Sequence, residues 1–378
     1  MKKSLIALAV MAASGAAMAQ SSVSVYGIAD IWVGSVKQEF NGESERNSKV
    51  DSGGANTSRI GFKGTEDLGG GLKANFLIET SIGMDEPGGT KLGDRNAYVG
   101  LSGGFGEVQL GRTWSSYDDI RSSANDNFNA NVAASFQTWV GYNDKVSNSI
   151  KYISPEFAGF SGSLTYGFGE DKANNTNGKA SSLLSVGLQY ANGPLFVGFA
   201  HQTEKAGNKI NLGALGNGEV LFGLTGIYSG SLTEPLKASA GSKATYNLLN
   251  GSYDFGVAKL VAGYNEVKVK NLTVSDSTTT PAANTFSVGT LKAQEWNIGA
   301  EVPLATALSL GVGYAQSTIE QAGQDIAKST GYTATLLYSL SKRTTVYGAL
   351  SQAKLKDKVG LGNQDKVTLY AVGLNHKF

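Results

Sequence analysis

Residues 56–82 read NTSRIGFKGTEDLGGGLKANFLIETSI, and their period decides the fold. Leu72, Ala74, Phe76, Ile78 and Ile82 fall on one face, and Lys73, Asn75, Glu79 and Ser81 on the other. Upstream, Ile60 and Phe62 share a face opposite Arg59 and Lys63. Strict alternation of this kind places side chains on opposite sides of a half-buried β-strand. Between the two runs lies Glu66-Asp67-Leu68-Gly69-Gly70, a turn composition. The stretch predicts a hairpin with one apolar and one polar face.

The same alternation repeats outward in both directions. Strands are predicted over 22–36, 56–65, 71–82, 94–102, 106–112, 147–153, 159–168 and 182–191. The second half adds 194–203, 243–254, 258–269, 290–302, 308–317, 330–339, 343–354 and 366–378. The gaps alternate strictly between short turns, such as Asn192-Gly193 and Ser341-Lys342, and long polar stretches. The long ones are 37–55, 83–93, 113–146, 169–181, 204–242, 270–289, 318–329 and 355–365. Val220–Leu224 could form a strand inside 204–242, but pairing it would break the parity, so it is assigned to the loop.

A soluble sandwich has no reason to gather every long loop at one end. An outer-membrane barrel has tight periplasmic turns and long external loops. Its closure satisfies every backbone group within lipid. The fold expected is therefore all-β, a 16-stranded antiparallel transmembrane β-barrel with both termini at the periplasmic end. Tyr370, Val372, Leu374 and Phe378 alternate to the last residue and predict a membrane-insertion signature ending on an interfacial aromatic. Tyr338, Tyr347 and Phe378 are expected in the periplasmic aromatic girdle.

The first residues read as an export address. Lys2 and Lys3 precede the apolar run Leu5 to Ala13, and Ala17-Met18-Ala19 is a small-residue cleavage site before Gln20. A signal peptide over 1–19 and one barrel domain over 20–378 follow. Without those two lysines, 30 basic residues face 31 acidic ones, and no polybasic tract suggests nucleic acid. There is no cysteine, so neither a disulfide framework nor a thiolate metal site is open to this chain. Fifty glycines against six prolines, with no linker-like stretch, fit one turn-rich sheet.

Several segments resemble the general porins of beta-proteobacteria. They are Ser22 to Gly27, Ser58 to Gly69, Ala97 to Leu101, Ser154 to Phe160, Leu340 to Thr344 and the ending Val372 to Phe378. The resemblance implies an outer-membrane porin for passive diffusion of small hydrophilic solutes and ions. It also implies a homotrimer in contact with outer-membrane lipid and lipopolysaccharide, with the third external loop folded into the lumen. The stretch 113–146 stands where that loop belongs.

A pore needs no catalytic residue, cofactor or metal; charges at its narrowest section set ion preference. If Ile60 and Phe62 face lipid, Arg59 and Lys63 face the lumen, since a lipid-facing cation at mid-depth costs ~2–4 kcal/mol. Lys151, between Ile150 and Tyr152, turns inward by the same argument. Arg95 and Arg112 lie near external strand ends and complete the expected basic wall. Anion-selective members of the family carry a ladder of arginines, and Arg59 and Arg95 match ladder positions. Lys151 stands where the family usually has arginine, which keeps the charge but loses the planar fork. Asp118, Asp119 and Asp126 in the inward loop are expected to oppose this wall. Anion preference is the expectation; a substrate-specific channel or a barrel adhesin is the alternative. A barrel hydrolase is disfavoured because His201 and His376, the two histidines, lie at opposite ends of their strands with no nucleophile-elbow motif beside them.

Overall fold

Because one face of each alternating segment must leave water and no edge is tolerated in lipid, the strands close on themselves. The structure is a computed structural model that describes residues 22–40, 42–86, 91–125, 139–171, 180–207, 212, 237–275, 285–358 and 364–378. The signal-peptide region and Val220–Leu224 lie outside these residues.

The first strands are β1 (Ser22–Phe40), β2 (Glu43–Ser52), β3 (Arg59–Gly69), β4 (Leu72–Ser81), β5 (Asn96–Gly103) and β6 (Gly106–Trp114). Helix α1 (Ser116–Asn125) follows. Then come β7 (Lys145–Ile153), β8 (Phe160–Phe168), β9 (Ser182–Asn192), β10 (Leu195–Lys205), β11 (Lys237–Ala238) and β12 (Lys243–Asp254). The chain finishes with β13 (Lys259–Ser275), β14 (Thr285–Ala305), β15 (Leu308–Gln321), β16 (Gln324–Ser339), β17 (Thr344–Asp357) and β18 (Gln364–Lys377). All pairings are antiparallel, and β1 closes the ring by pairing with both β18 and β3. Among the described residues there are eighteen strands, of which β2 pairs only with β1 and β11 only with β13, so sixteen staves form the closed barrel.

The apolar face looks outward. Val23, Val99 and Val372 are 67%, 65% and 58% exposed, as only a lipid-facing surface permits. Tyr370, Leu374 and Phe378 share that outer surface. The last residue seals the seam, where the Phe378 and Gly27 backbones exchange N–H···O bonds at 3.1 Å.

Four expectations are corrected. The stretch 37–55 is mostly ladder, not loop: β1 runs on to Phe40 and Gln38 faces Glu45 of β2. Residues of β2 are exposed on both faces for most of its length, so no apolar alternation could announce it. The stretches 270–289 and 318–329 are likewise partly strand; β15 and β16 meet at a two-residue turn where Ala322 and Gly323 have φ of 51° and 82°. Tyr347 is not in the girdle. It alternates with the lipid-facing Leu350, so it turns into the lumen, where it is 1% exposed and donates to Asp30 at 2.7 Å.

Asp30 organises that side of the lumen. Its carboxylate is fully buried and accepts N–H groups from Gly54, Ala55 and Asn56 and the Asn375 amide. The break between β2 and β3 is thus folded onto the lumen face and tied to the barrel seam.

Candidate functional site

The described parts of the chain that leaves β6 lie inside the barrel against its wall. Ser115 and Asp144 close its neck through a 2.7 Å backbone bond. Ser115 caps α1, its Oγ accepting the Asp118 N–H at 3.1 Å, and Asp118 and Asp119 lie in the first turn, where the helix dipole favours acids. The helix lies against β8, β9, β10, β12 and β13. Tyr117 Oη donates to Asn265 at 2.8 Å, and Asn250 donates to the Ile120 carbonyl at 2.7 Å. Gly187 and Gly198 make the close approach possible, since a Cβ there would sit 2.9 and 2.6 Å from the Ile120 side chain.

The returning limb is held by wall carboxylates. Glu295 on β14 accepts the Val140 N–H at 2.5 Å, and Glu204 on β10 accepts the Asn143 N–H at 2.8 Å. Trp139 and Tyr142 pack with Tyr117 and Tyr246 in the apolar cluster beneath this limb. The inward loop expected at 113–146 is therefore present over its described parts and docked on one wall.

The charged groups gather between α1 and the strands β3 to β7. Lys151 Nζ reaches Asp119 Oδ2 at 2.5 Å and donates to the Trp114 carbonyl at 3.1 Å. Wall and loop charges thus touch directly. Arg95 Nε donates to Glu79 Oε1 at 2.7 Å, with its guanidinium 5.3 Å from the Trp114 ring. Arg59 Nη1 lies 3.8 Å from the same carboxylate oxygen, and Tyr26 donates to its second oxygen at 2.8 Å. Lys63 is exposed to the bore with its ammonium 5.2 Å from the Tyr26 ring.

Arg112 stands apart from the other four cations. It lies two residues beyond Leu110, which is 55% exposed, at the register shift between Gly111 and Thr113, and its guanidinium donates to the Asp94 carbonyl and the Ser147 hydroxyl. Asp126 lies outside the described residues. Asp118 accepts from Tyr142 Oη and sits in a group with Arg121, whose Nη1 donates to the same phenol at 2.8 Å. Burial, with Asp144 nearby, pushes the Asp118 carboxyl up to about 6.

Glu79 is the residue that sequence reading missed as a site member. Its inward direction was legible from Phe76 and Ile78, but nothing along the chain says that Arg59 and Arg95 converge on it. Arg121 was missed for the same reason. His201 pairs with Asn247 and His376 with Thr344, at opposite ends of the barrel wall. Among the described residues no group of three or more metal-ligating side chains occurs.

Comparison with known proteins agrees with this architecture. A family model described as Gram-negative porin matches residues 5–358. Outer membrane porin protein 32 of Delftia acidovorans is 35% identical over 99% of this chain and 95% of its own. The major outer membrane protein P.IA of Neisseria meningitidis is 31% identical over 85% of this chain and 81% of its own. Among solved structures, the anion-selective porin from Comamonas acidovorans superposes with a TM-score of 0.73 at 28% identity, covering 95% of this chain and 100% of that one. With a closed barrel around a charged bore, and this likeness along its length, the chain belongs to the Gram-negative porin family and forms a diffusion channel of the outer membrane.

Proposed function

We propose that the channel passes small anions in preference to cations, without a catalytic step. One observation carries the reading: Arg59, Lys63 and Arg95 line one side of the bore around a single acid, Glu79. Lys151 adds a fourth cation, paired with Asp119 of the loop. Low-dielectric walls make such fixed charges count for more than they would on an open surface. The solved relative named as anion-selective supports the same sign.

The reading extends to assembly. Residues 1–19 serve as a cleaved signal peptide, which the lysines, the apolar run and the Ala17-Met18-Ala19 site support, and the mature barrel assembles as a homotrimer surrounded by lipid and lipopolysaccharide, which the family resemblance supports.

The test is the reversal potential across a potassium chloride gradient in a planar bilayer. An anion-side potential in the wild type, moving toward the cation side in Arg59→Gln/Lys151→Gln, is expected. An unchanged ion preference in that double variant would remove these residues from the constriction. Chemical cross-linking in mild detergent tests the trimer.

A further inference from the structure

Arg59 is aimed by a second inward fold, shorter than the one that carries α1. The chain leaves the ladder after Ser52 and re-enters it at Arg59. Asp30 on β1 holds both ends of the stretch between. Its backbone carbonyl accepts the Gly53 N–H at 2.9 Å and the Ser58 hydroxyl at 2.8 Å, and its N–H donates to Ser58 Oγ at 3.0 Å. Its carboxylate accepts the N–H groups of Gly54, Ala55 and Asn56 at 2.8, 3.1 and 3.0 Å. Successive backbone N–H groups that converge on an anion form a closed concavity, and here the anion belongs to the protein. Tyr347 on β17 and Asn375 on β18 fix the same carboxylate at 2.7 and 2.6 Å. A Cβ at Gly54 would sit 2.0 Å from the Tyr347 hydroxyl, so only glycine fits there.

This fold presents the Thr57 carbonyl to Arg59, whose Nε donates to it at 2.9 Å. The neighbouring acid, Glu79, takes its hydrogen bonds from Arg95 at 2.7 Å and Tyr26 at 2.8 Å. Arg59 Nη1 stops 3.8 Å from Glu79 Oε1, beyond hydrogen-bond reach. A guanidinium free to turn closes on a carboxylate to ~2.8 Å, often through two parallel bonds. Binding Nε to a neutral carbonyl keeps Arg59 short of that pairing and leaves its charge toward the bore. The carbonyl stays in place because Asp30 grips the residues on either side of Thr57, Asn56 through its carboxylate and Ser58 through its backbone.

We propose that Asp30 is a positioning residue for ion selection. It does not touch the passing ion; through Gly53 to Ser58 it fixes the carbonyl that holds Arg59 off Glu79. The proposal deepens the anion-preferring reading and rests on it. It also predicts a sign opposite to that of bare charge. Removing an acid from the lumen wall would by itself favour anions. Acting through Arg59, the loss of Asp30 lets the guanidinium close on Glu79, and the preference for anions falls.

The test measures reversal potentials in planar bilayers across a potassium chloride gradient near 0.1 M. Asp30→Asn is recorded alone and combined with Arg59→Gln, beside wild type and Arg59→Gln. Ser58→Ala, which removes one hydroxyl between Asp30 and Thr57, is recorded in the same two backgrounds. It decides the matter where Asp30→Asn yields no heat-resistant barrel in detergent. The anion-to-cation permeability ratio should fall about twofold in Asp30→Asn, less than the full effect of a lost unit charge near the path. Ser58→Ala should lower it by a smaller factor, and neither change should lower it further once Arg59 is glutamine. A raised or unchanged ratio, or an equal fall with and without Arg59, would overturn the assignment. A cation-preferring wild type would count against the anion reading instead, and the dependence of the shift on Arg59 would still decide this one.

Discussion

Replacing Glu79 with glutamine should make the pore more anion-preferring. The amide oxygen can still accept from Arg95 and the amide nitrogen can donate to the Tyr26 hydroxyl, so the shape is kept while one negative charge leaves the basic wall. A unit charge ~7 Å from a passing ion is worth about 0.6 kcal/mol in a water-like dielectric. Screening in 0.1 M salt, with a Debye length of ~10 Å, halves that to about 0.3 kcal/mol. The effect has opposite sign for the two ions of the salt, so the anion-to-cation permeability ratio should rise about threefold. At 1 M, where the Debye length is ~3 Å, the same charge should change the ratio only about 1.2-fold. The assay is the reversal potential at both salt concentrations, with single-channel conductance and resistance to heat in detergent as checks on the fold. A reversal potential that does not move at 0.1 M, or moves toward the cation side, would refute the placement of Glu79 beside the ion path.

Other substitutions test other parts of the site. Asp118 is protonated as pH falls through about 6, because its carboxyl is raised in the folded state and the unfolded chain still ionises down to the ordinary carboxylate range. Its burial therefore costs stability above that pH and is relieved below it; anion preference should grow from pH 7 to 5, and Asp118→Asn should flatten that rise. Gly198→Leu drives a side chain into Ile120 and should cost ~1–3 kcal/mol while altering conductance, read by urea titration and bilayer recording. Asp30→Ala strips the acceptors from three backbone N–H groups at the seam, each worth ~1–3 kcal/mol if left unsatisfied. That variant should lose its resistance to heat in detergent; a wild-type melting profile would show that Asp30 does not hold the seam.

The sequence by itself determined the barrel, because the physics that announces a lipid-facing strand is local. An outward Val, Leu or Tyr must recur at every second residue, and that period is visible wherever a strand meets acyl chains, from Val23 to Phe378. The directions of Arg59, Lys63 and Lys151 followed from the same rule. Where a strand leaves the membrane the rule lapses, and β2, exposed on both faces, carried no signal. Only the tertiary structure decided which charges meet. Glu79 joins Arg59 and Arg95, Asp119 joins Lys151, and Tyr347 crosses to Asp30 over a separation of 317 residues. The near-neutral chain has no basic tract, yet cross-strand register stacks Lys205, Lys243 and Lys270 into one rung. Alternation fixes which way a side chain points; what it meets there depends on the stagger of strands far apart in the chain, and closure of the ring sets that stagger.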